Sequence, residues 1–215
     1  MELVCYVVTA LGAYLLGSIP TGFLVAQARG IDIRTAGSGN IGATNALRVL
    51  GKPAGILVLF VDALKGWLAV VPLTLLTTLV FNVPRGGLGH ETAQIIGGVC
   101  AILGHNYTCW LGFKGGKGIA TSAGVLLALV PWALLIIFAV FTVLLLATRY
   151  VSVGSIGAAA ALPFASWLTG ESHLKVMVTA AMGVLAIYKH KENIRRLLNG
   201  TERRLGTPPP QEEPK

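Results

Sequence analysis

Residues 119–148 read IATSAGVLLALVPWALLIIFAVFTVLLLAT, thirty residues with no charged side chain and one proline, Pro131, near the middle. A membrane span needs about 20 mainly apolar residues, so this run is either one long span kinked at Pro131 or two short helices that turn at Pro131-Trp132. Which of the two it is sets the side of the membrane on which every later loop lies. Hydropathy does not separate them; the distribution of charge does.

Residues 3–28, 54–81, 152–169 and 174–188 supply further apolar runs, and 92–104 with its flanks a shorter one. Lys and Arg in short loops favour the cytoplasmic side. The first loop carries Arg29, Arg34, Arg48 and Lys52, the second only Arg85, and the third Lys114 and Lys117. After Pro131 come a loop with Arg149, a loop with Glu171 and Lys175, and a C-terminal stretch holding Lys189, Lys191, Arg195, Arg196, Arg203 and Arg204. A turn at Pro131 gives seven spans and puts every strongly basic segment inside, whereas a kink sends the basic C-terminal stretch outside. The expected fold is therefore an all-α polytopic membrane protein of seven transmembrane helices, some short, with its N-terminus outside and its C-terminus cytoplasmic. Residues 1–206 form one transmembrane domain and 207–215, with Pro208-Pro209-Pro210 and Glu212-Glu213, a disordered tail. Residues 119–130 would extend only about 18 Å at 1.5 Å per residue, so that helix crosses a thinned or partly polar region or sits behind others.

Composition agrees, with 54% hydrophobic and 12% charged residues, where a soluble domain holds about one quarter charged. The net charge of +8 does not indicate nucleic acid, because no base-stacking aromatics are interleaved with the Lys and Arg residues. Cys5, Cys100 and Cys109 form no C-x-x-C pair and imply neither a disulfide nor a metal site. Glu2 and the lack of a preceding basic residue make the first run a retained span rather than a cleaved signal.

Three polar, glycine-rich and basic segments interrupt the apolar chain. In the first, Gly37, Gly39 and Gly42 let backbone N–H groups approach an anion, Ser38, Asn40, Thr44 and Asn45 add hydroxyls and amides, and Arg48 adds a planar fork. An Asx-rich loop capping a helix at Thr44 or Asn45 explains the same residues. Gly37 to Gly42 matches G-x-G-x-x-G with Asp62 twenty residues on, but no strand precedes it and Asp62 lies in an apolar span, so it is no dinucleotide fold. In the second, Lys114 and Lys117 flank Gly115-Gly116 before Gly118 and a helix N-terminus, where phosphates bind; two topogenic lysines in a turn are the plainer reading. Its spacing is one residue short of a P-loop. His105 and Cys109 make neither a metal site nor a nucleophile pair. In the third, His190 and Asn193 share a helical face above a basic, interfacial helix with Ile194, Leu197 and Leu198 on its apolar side. Asp62 and Lys65, one turn apart inside a span, are either functional or a mutually neutralising pair.

Read together, the segments 37–48, 62–66, 104–121 and 190–202 closely resemble the motifs of the bacterial PlsY family, the acyl-phosphate:glycerol-3-phosphate acyltransferases. The resemblance implies a multi-pass enzyme of the bacterial inner membrane with its active site facing the cytoplasm. Its substrates would be glycerol 3-phosphate and a fatty acyl phosphate, and its products lysophosphatidic acid and phosphate. It implies no cofactor, metal or nucleic acid, membrane lipids as neighbours, and a peripheral acyl-phosphate synthase as a transient contact. It also implies that Ser38, Arg48, Lys117, His190 and Asn193 form the glycerol 3-phosphate site. The candidate catalytic residues are thus Ser38, His190 and Asn193. The candidate substrate-binding residues are Gly37, Asn40, Thr44, Asn45 and Arg48, then Lys114, Gly115, Gly116, Lys117 and Gly118. Ile41 and Tyr107-Thr108 depart from the family pattern at loop-shaping positions.

An acyl phosphate carries its own leaving group, so the donor's phosphate oxygen can take the hydroxyl proton, and His190 is the one credible protein base. The acyl tail is expected along Trp67, Trp132 or the short helix after Gly118. The rival reading is a transporter of a phosphorylated metabolite or anion, since broken helices with basic loops bind substrates there too.

Overall fold

The computed structural model describes residues 1–206, and the tail expected over 207–215 lies outside the described residues. Among the described residues there is no strand. The first apolar run is two helices, α1 (Glu2–Ser18) and α2 (Thr21–Gln27), separated at Pro20. The first polar segment carries α3 (Ala43–Leu50), and the next run divides into α4 (Lys52–Val70) and α5 (Pro72–Val80). Then follow α6 (Leu88–Asn106), a single 3₁₀ turn at Cys109–Leu111, α7 (Ile119–Leu129) and α8 (Pro131–Thr148). α9 (Val151–Leu168), α10 (His173–Lys189) and α11 (Lys191–Leu198) are the last helices among the described residues.

Proline explains the breaks. Its ring is disfavoured in a helix interior, where α9 nonetheless holds Pro163, but suits the first turn, where an N–H has no partner anyway. Pro72 opens α5 and Pro131 opens α8. The thirty-residue apolar run is therefore two helices of 11 and 18 residues joined through Val130, at φ −147°, ψ 62°. Four stretches, Glu2–Gln27, Lys52–Val80, Pro131–Thr148 and Val151–Leu168, are long and apolar enough to cross a membrane; Ile119–Leu129 is a shorter apolar helix.

Lipid gives little hydrophobic drive for helices to associate, so close contact depends on small residues at the crossings. α4 and α7 cross where Gly66 lies against the carbonyl of Thr121 and Gly124 against the carbonyl of Ala63, and neither position has room for a Cβ. α1 and α6 meet in the same way through Gly17 at Ala101 and Gly104 at Tyr14. Behind these crossings Val70, Ile102, Val125, Leu129 and Val130 form the main buried cluster. Large apolar side chains such as Phe60, Leu79, Phe138 and Phe164 are exposed on the outer surface, as lipid-facing residues must be. The α4–α7 crossing fixes the start of α7 against α4, and that start borders the site described below.

Replacing Gly124 with Val forces a branched side chain into the Ala63 carbonyl. The expected cost is at least the roughly 1–3 kcal/mol of an overpacked core, read as a lower thermal midpoint in detergent. A midpoint equal to that of the unmodified protein would contradict the close crossing.

Candidate functional site

The first polar segment is folded around one amide. Asn45 is buried; its Oδ1 accepts from Ser38 N (2.8 Å), while its Nδ2 donates to Asn40 O (2.8 Å), Ala36 O (3.0 Å) and Ile33 O (3.4 Å). Gly37, at φ +63°, packs on that amide, where a Cβ would collide with Asn45 Oδ1. Asn40 Oδ1 in turn accepts from Gly42 N (2.9 Å) and leads the chain into α3. The polar groups of Asn45 are thus spent on loop geometry. What the loop offers to the cavity described below is Ser38, and α3, which follows it directly, adds Thr44 and Arg48.

The second segment folds back along the end of α6. Gly115 N donates to Asn106 O (3.2 Å) and Gly116 N to His105 O (3.0 Å). A side chain at Gly115 would strike the His105 carbonyl, and one at Gly116 the His105 ring. Gly118 precedes α7 in the left-handed region, φ +78°. These three glycines act as spacers that seat the loop, turning Lys117 into a cavity while Lys114 stays exposed and away from it. Lys189 Nζ donates to the same Asn106 carbonyl (3.1 Å), tying α10 to this corner.

The third segment turns sharply between α10 and α11 at His190. The carbonyl of Ala186 can only accept, so the 2.7 Å contact at His190 Nδ1 assigns the ring proton to Nδ1 and leaves Nε2 with a lone pair. Burial, reinforced by the charge of Lys117, pushes the His190 pKa down to about 4, so the ring is neutral at physiological pH. Asn193 Oδ1 accepts from Lys117 Nζ, and its Nδ2 donates to Glu202 Oε1 (2.6 Å). Glu202 also accepts from Ser152 Oγ (2.8 Å) and Arg196 Nε (2.7 Å). Burial opposes its charge, and these hydrogen bonds outweigh burial, so the carboxyl titrates below its usual range.

These elements enclose a cavity of about 170 Å³. Of the residues singled out in the sequence it gathers Ser38, Asn40, Thr44, Asn45 and Arg48, with Lys117, His190 and Asn193. Gly37, Lys114, Gly115, Gly116 and Gly118 do not line it. Four helices begin at its wall: α3 at Gly42 and Ala43, α7 at Ile119, α9 at Val151 and Ser152, and α11 at His190. Each start presents N–H groups without helical partners and the positive end of a helix dipole. Ser152, Ser155 and Glu202 were missed from the sequence; the nearest signal was the position of Glu202 at the end of the third segment.

Charge in the cavity is unbalanced. Among the described residues, neither Arg48 nor Lys117 has a carboxylate within salt-bridge distance, whereas Glu202 pairs with Arg196 and Asp62 with Lys65 (2.7 Å). Asp62 at the cavity wall also accepts from Thr21 Oγ1 (2.9 Å), with His105 Nδ1 3.7 Å away, while Lys65 donates to the Ile19 carbonyl (2.8 Å) left by the α1–α2 break. Burial, then the neighbouring charges of Arg196 and Arg48, lowers the Lys117 pKa to about 8. Burial likewise lowers that of Arg48. Two cations among helix N-termini are the chemistry that suits an anion with several acceptor oxygens. No three His, Cys, Asp or Glu side chains among the described residues cluster for a metal ion.

A second, almost wholly apolar cavity of about 430 Å³ adjoins the first. The two share seven residues, among them Ala43, Thr44 and Leu59 on α3 and α4, Ile119 on α7, Phe141 on α8 and Ser155 on α9. The apolar one runs along α7, the short helix after Gly118; neither Trp67 nor Trp132 lines it.

The family model for glycerol-3-phosphate acyltransferase matches residues 7–200. Proteins named glycerol-3-phosphate acyltransferase are similar along nearly the whole chain. That of Geotalea daltonii is 47% identical over 91% of this chain and 95% of its own. That of Geobacter sulfurreducens is 48% identical over 90% and 94%, and that of Clostridioides difficile 42% over 96% and 98%. Among solved structures, PlsY, described as an integral membrane glycerol 3-phosphate acyltransferase, superposes in its glycerol 3-phosphate form with a TM-score of 0.82 at 40% identity, covering 94% of this chain and 96% of that one. Its lysophosphatidic acid form gives 0.78 at 39% identity, over 96% of both chains.

Because Lys117 loses its proton near pH 8, anion affinity should fall as the pH rises through that value. Calorimetric titration with sulfate, whose charge does not change over this range, is expected to show weakening between neutral and strongly alkaline pH. Lys117→Arg, which stays charged, should abolish that pH dependence. A flat profile in the unmodified protein would remove Lys117 from the anion site.

Proposed function

We propose that this chain, which belongs to the glycerol-3-phosphate acyltransferase family, takes its acyl group from a fatty acyl phosphate. It is an all-helical membrane enzyme of that family. The acceptor is the 1-hydroxyl of sn-glycerol 3-phosphate, and the products are lysophosphatidic acid and phosphate. The observation that carries this reading is the junction of a small cationic cavity with a larger apolar one. One substrate is all polar and fits the first; the other is a phosphate on a long chain and fits both at once. At about 170 Å³ the polar chamber is smaller than the roughly 300–1,000 Å³ of ordinary ligand pockets, which favours compact phosphate esters over a nucleotide-bearing donor such as acyl-CoA.

In the proposed reaction Arg48 and Lys117 hold the phosphates, and Ser38 and Asn193 orient the acceptor. Asn193 is itself fixed between Lys117 and Glu202. The acceptor oxygen attacks the carbonyl carbon, the bond from that carbon to the phosphate oxygen breaks, and the departing phosphate takes the hydroxyl proton. Alignment and electrostatics then supply most of the rate enhancement. The lone pair on His190 Nε2 suits it to accept a hydrogen bond from the acceptor hydroxyl and makes it the alternative base.

In the same reading the chain forms one domain over 1–206 with seven spans, including α6, α7 and α10. It lies in the bacterial inner membrane with its N-terminus outside and its C-terminus and active site cytoplasmic, where the peripheral synthase can deliver donor. The basic loops support that orientation. Membership of an acyltransferase family weighs against the transporter reading.

Purified protein given acyl phosphate and labelled glycerol 3-phosphate is expected to form labelled lysophosphatidic acid, and to form none from acyl-CoA; the reverse result overturns the donor assignment. Lys117→Ala should raise the KM for glycerol 3-phosphate about 10- to 100-fold, the value of one charge-assisted hydrogen bond. Near-normal kcat in His190→Gln or His190→Asn would eliminate the general-base role.

A further inference from the structure

The apolar cavity has an end as well as a mouth. Its mouth is the set of residues it shares with the polar chamber, among them Phe141 on α8, Ser155 on α9 and Ile119 on α7. Counting away from that mouth, Leu134 lies seven residues along α8, Leu162 seven along α9 and Leu126 seven along α7. At about 1.5 Å per residue each is about 10 Å deep. Met182 on α10 stands eight residues, about 12 Å, from His190 in the polar chamber. Four side chains from four different helices therefore close the cavity at one depth. They are also packed on one another: Leu126, Leu162 and Met182 belong to a single buried cluster, and Leu134 packs against it.

We infer that Leu126, Leu134, Leu162 and Met182 form a floor that gauges the length of the transferred acyl chain. The inference rests on the acyltransferase reading above for the identity of the occupant. The occupant follows from continuity: a chain bonded to a group held in the cationic chamber enters the apolar one through the shared mouth. A chain that just reaches the floor buries every methylene that fits; a longer one must bend or leave toward the lipid past Phe138, which is 63% exposed. For a donor presented from water, each methylene that the cavity buries changes kcat/KM by up to about fourfold.

The test is the profile of kcat/KM over a homologous series of saturated acyl donors. Met182→Ala and the milder Leu134→Ala, whose side chain is only partly buried, deepen the cavity. Both are expected to shift the optimum to longer chains. Ala158→Leu, which adds bulk about 4.5 Å below Ser155 on α9, should shift it to shorter chains by the same factor per methylene. An unmoved optimum in all three variants, or a shift of the same sign in both classes, overturns the inference. Running the series with acyl phosphates and with acyl-CoAs separates this result from the donor assignment, because the floor is read in whichever donor the unmodified protein uses.

Discussion

A helix begins with N–H groups that have no partner inside it, and in apolar surroundings each must be satisfied or it costs stability. This protein starts four helices, α3, α7, α9 and α11, at the wall of one cavity of about 170 Å³. The orphan donors that would be a liability if scattered through an apolar bundle make, when gathered, a positive lining suited to the proposed phosphates. Arg48 and Lys117 add full charges, and the two carboxylates that border the cavity are already engaged by Arg196 and Lys65. Like charges confined this way repel, which is one reason the Lys117 pKa is lowered to about 8. A phosphate relieves that repulsion and the orphan donors together, so the site's electrostatic cost in isolation is also the source of its affinity.

Holding such a site requires ties across long stretches of chain. Glu202 accepts from Ser152 on α9 and from Asn193 and Arg196 on α11. The strand of chain that follows α11 then returns to the α8–α9 junction, where Leu205 N donates to Arg149 O (2.7 Å), and to α3, where Arg48 donates to Arg203 O (3.2 Å). Glu202 is thus an anion set among several cations and works as a strut. Removing it would free Asn193 and Arg196 together, a coupled loss rather than a sum of two.

Sequence and structure agree best where a local rule is strong. A proline is disfavoured inside a helix and suits its first turn, and the thirty-residue run does divide at Pro131. The three polar segments, read as parts of one site, do line one cavity. The difference lies in which of their residues face it. Asn45 reads equally as ligand or loop cap from its type and position, and the structure commits all its bonds to residues 33–40. Gly115 and Gly116 suggest anion-facing backbone, but their N–H groups are consumed by the end of α6. Ser152 and Glu202 lie 50 residues apart and have no common motif, so no periodicity could pair them. Contacts of that range depend on how helices cross, and the crossings depend on glycines such as Gly66 and Gly124, whose partners a sequence does not name.

The shared wall between the two cavities bears on how products leave in the proposed reaction. Before transfer, the phosphate on the acyl chain is held at two places, by cations above and by the apolar cavity below, while glycerol 3-phosphate is held only by the cations. Transfer exchanges those situations without changing the number of phosphate groups in the chamber. The phosphate that gave up the chain keeps its charge but loses its apolar anchor, whereas the glycerol ester gains one. Each buried methylene adds roughly 0.8 kcal/mol to the cost of releasing the second product into water and nothing to that of the first. In the proposed reaction the exits therefore differ: inorganic phosphate goes toward water, and the lysophospholipid goes sideways into lipid past the exposed Phe138 edge of the cavity, where its chain stays out of water.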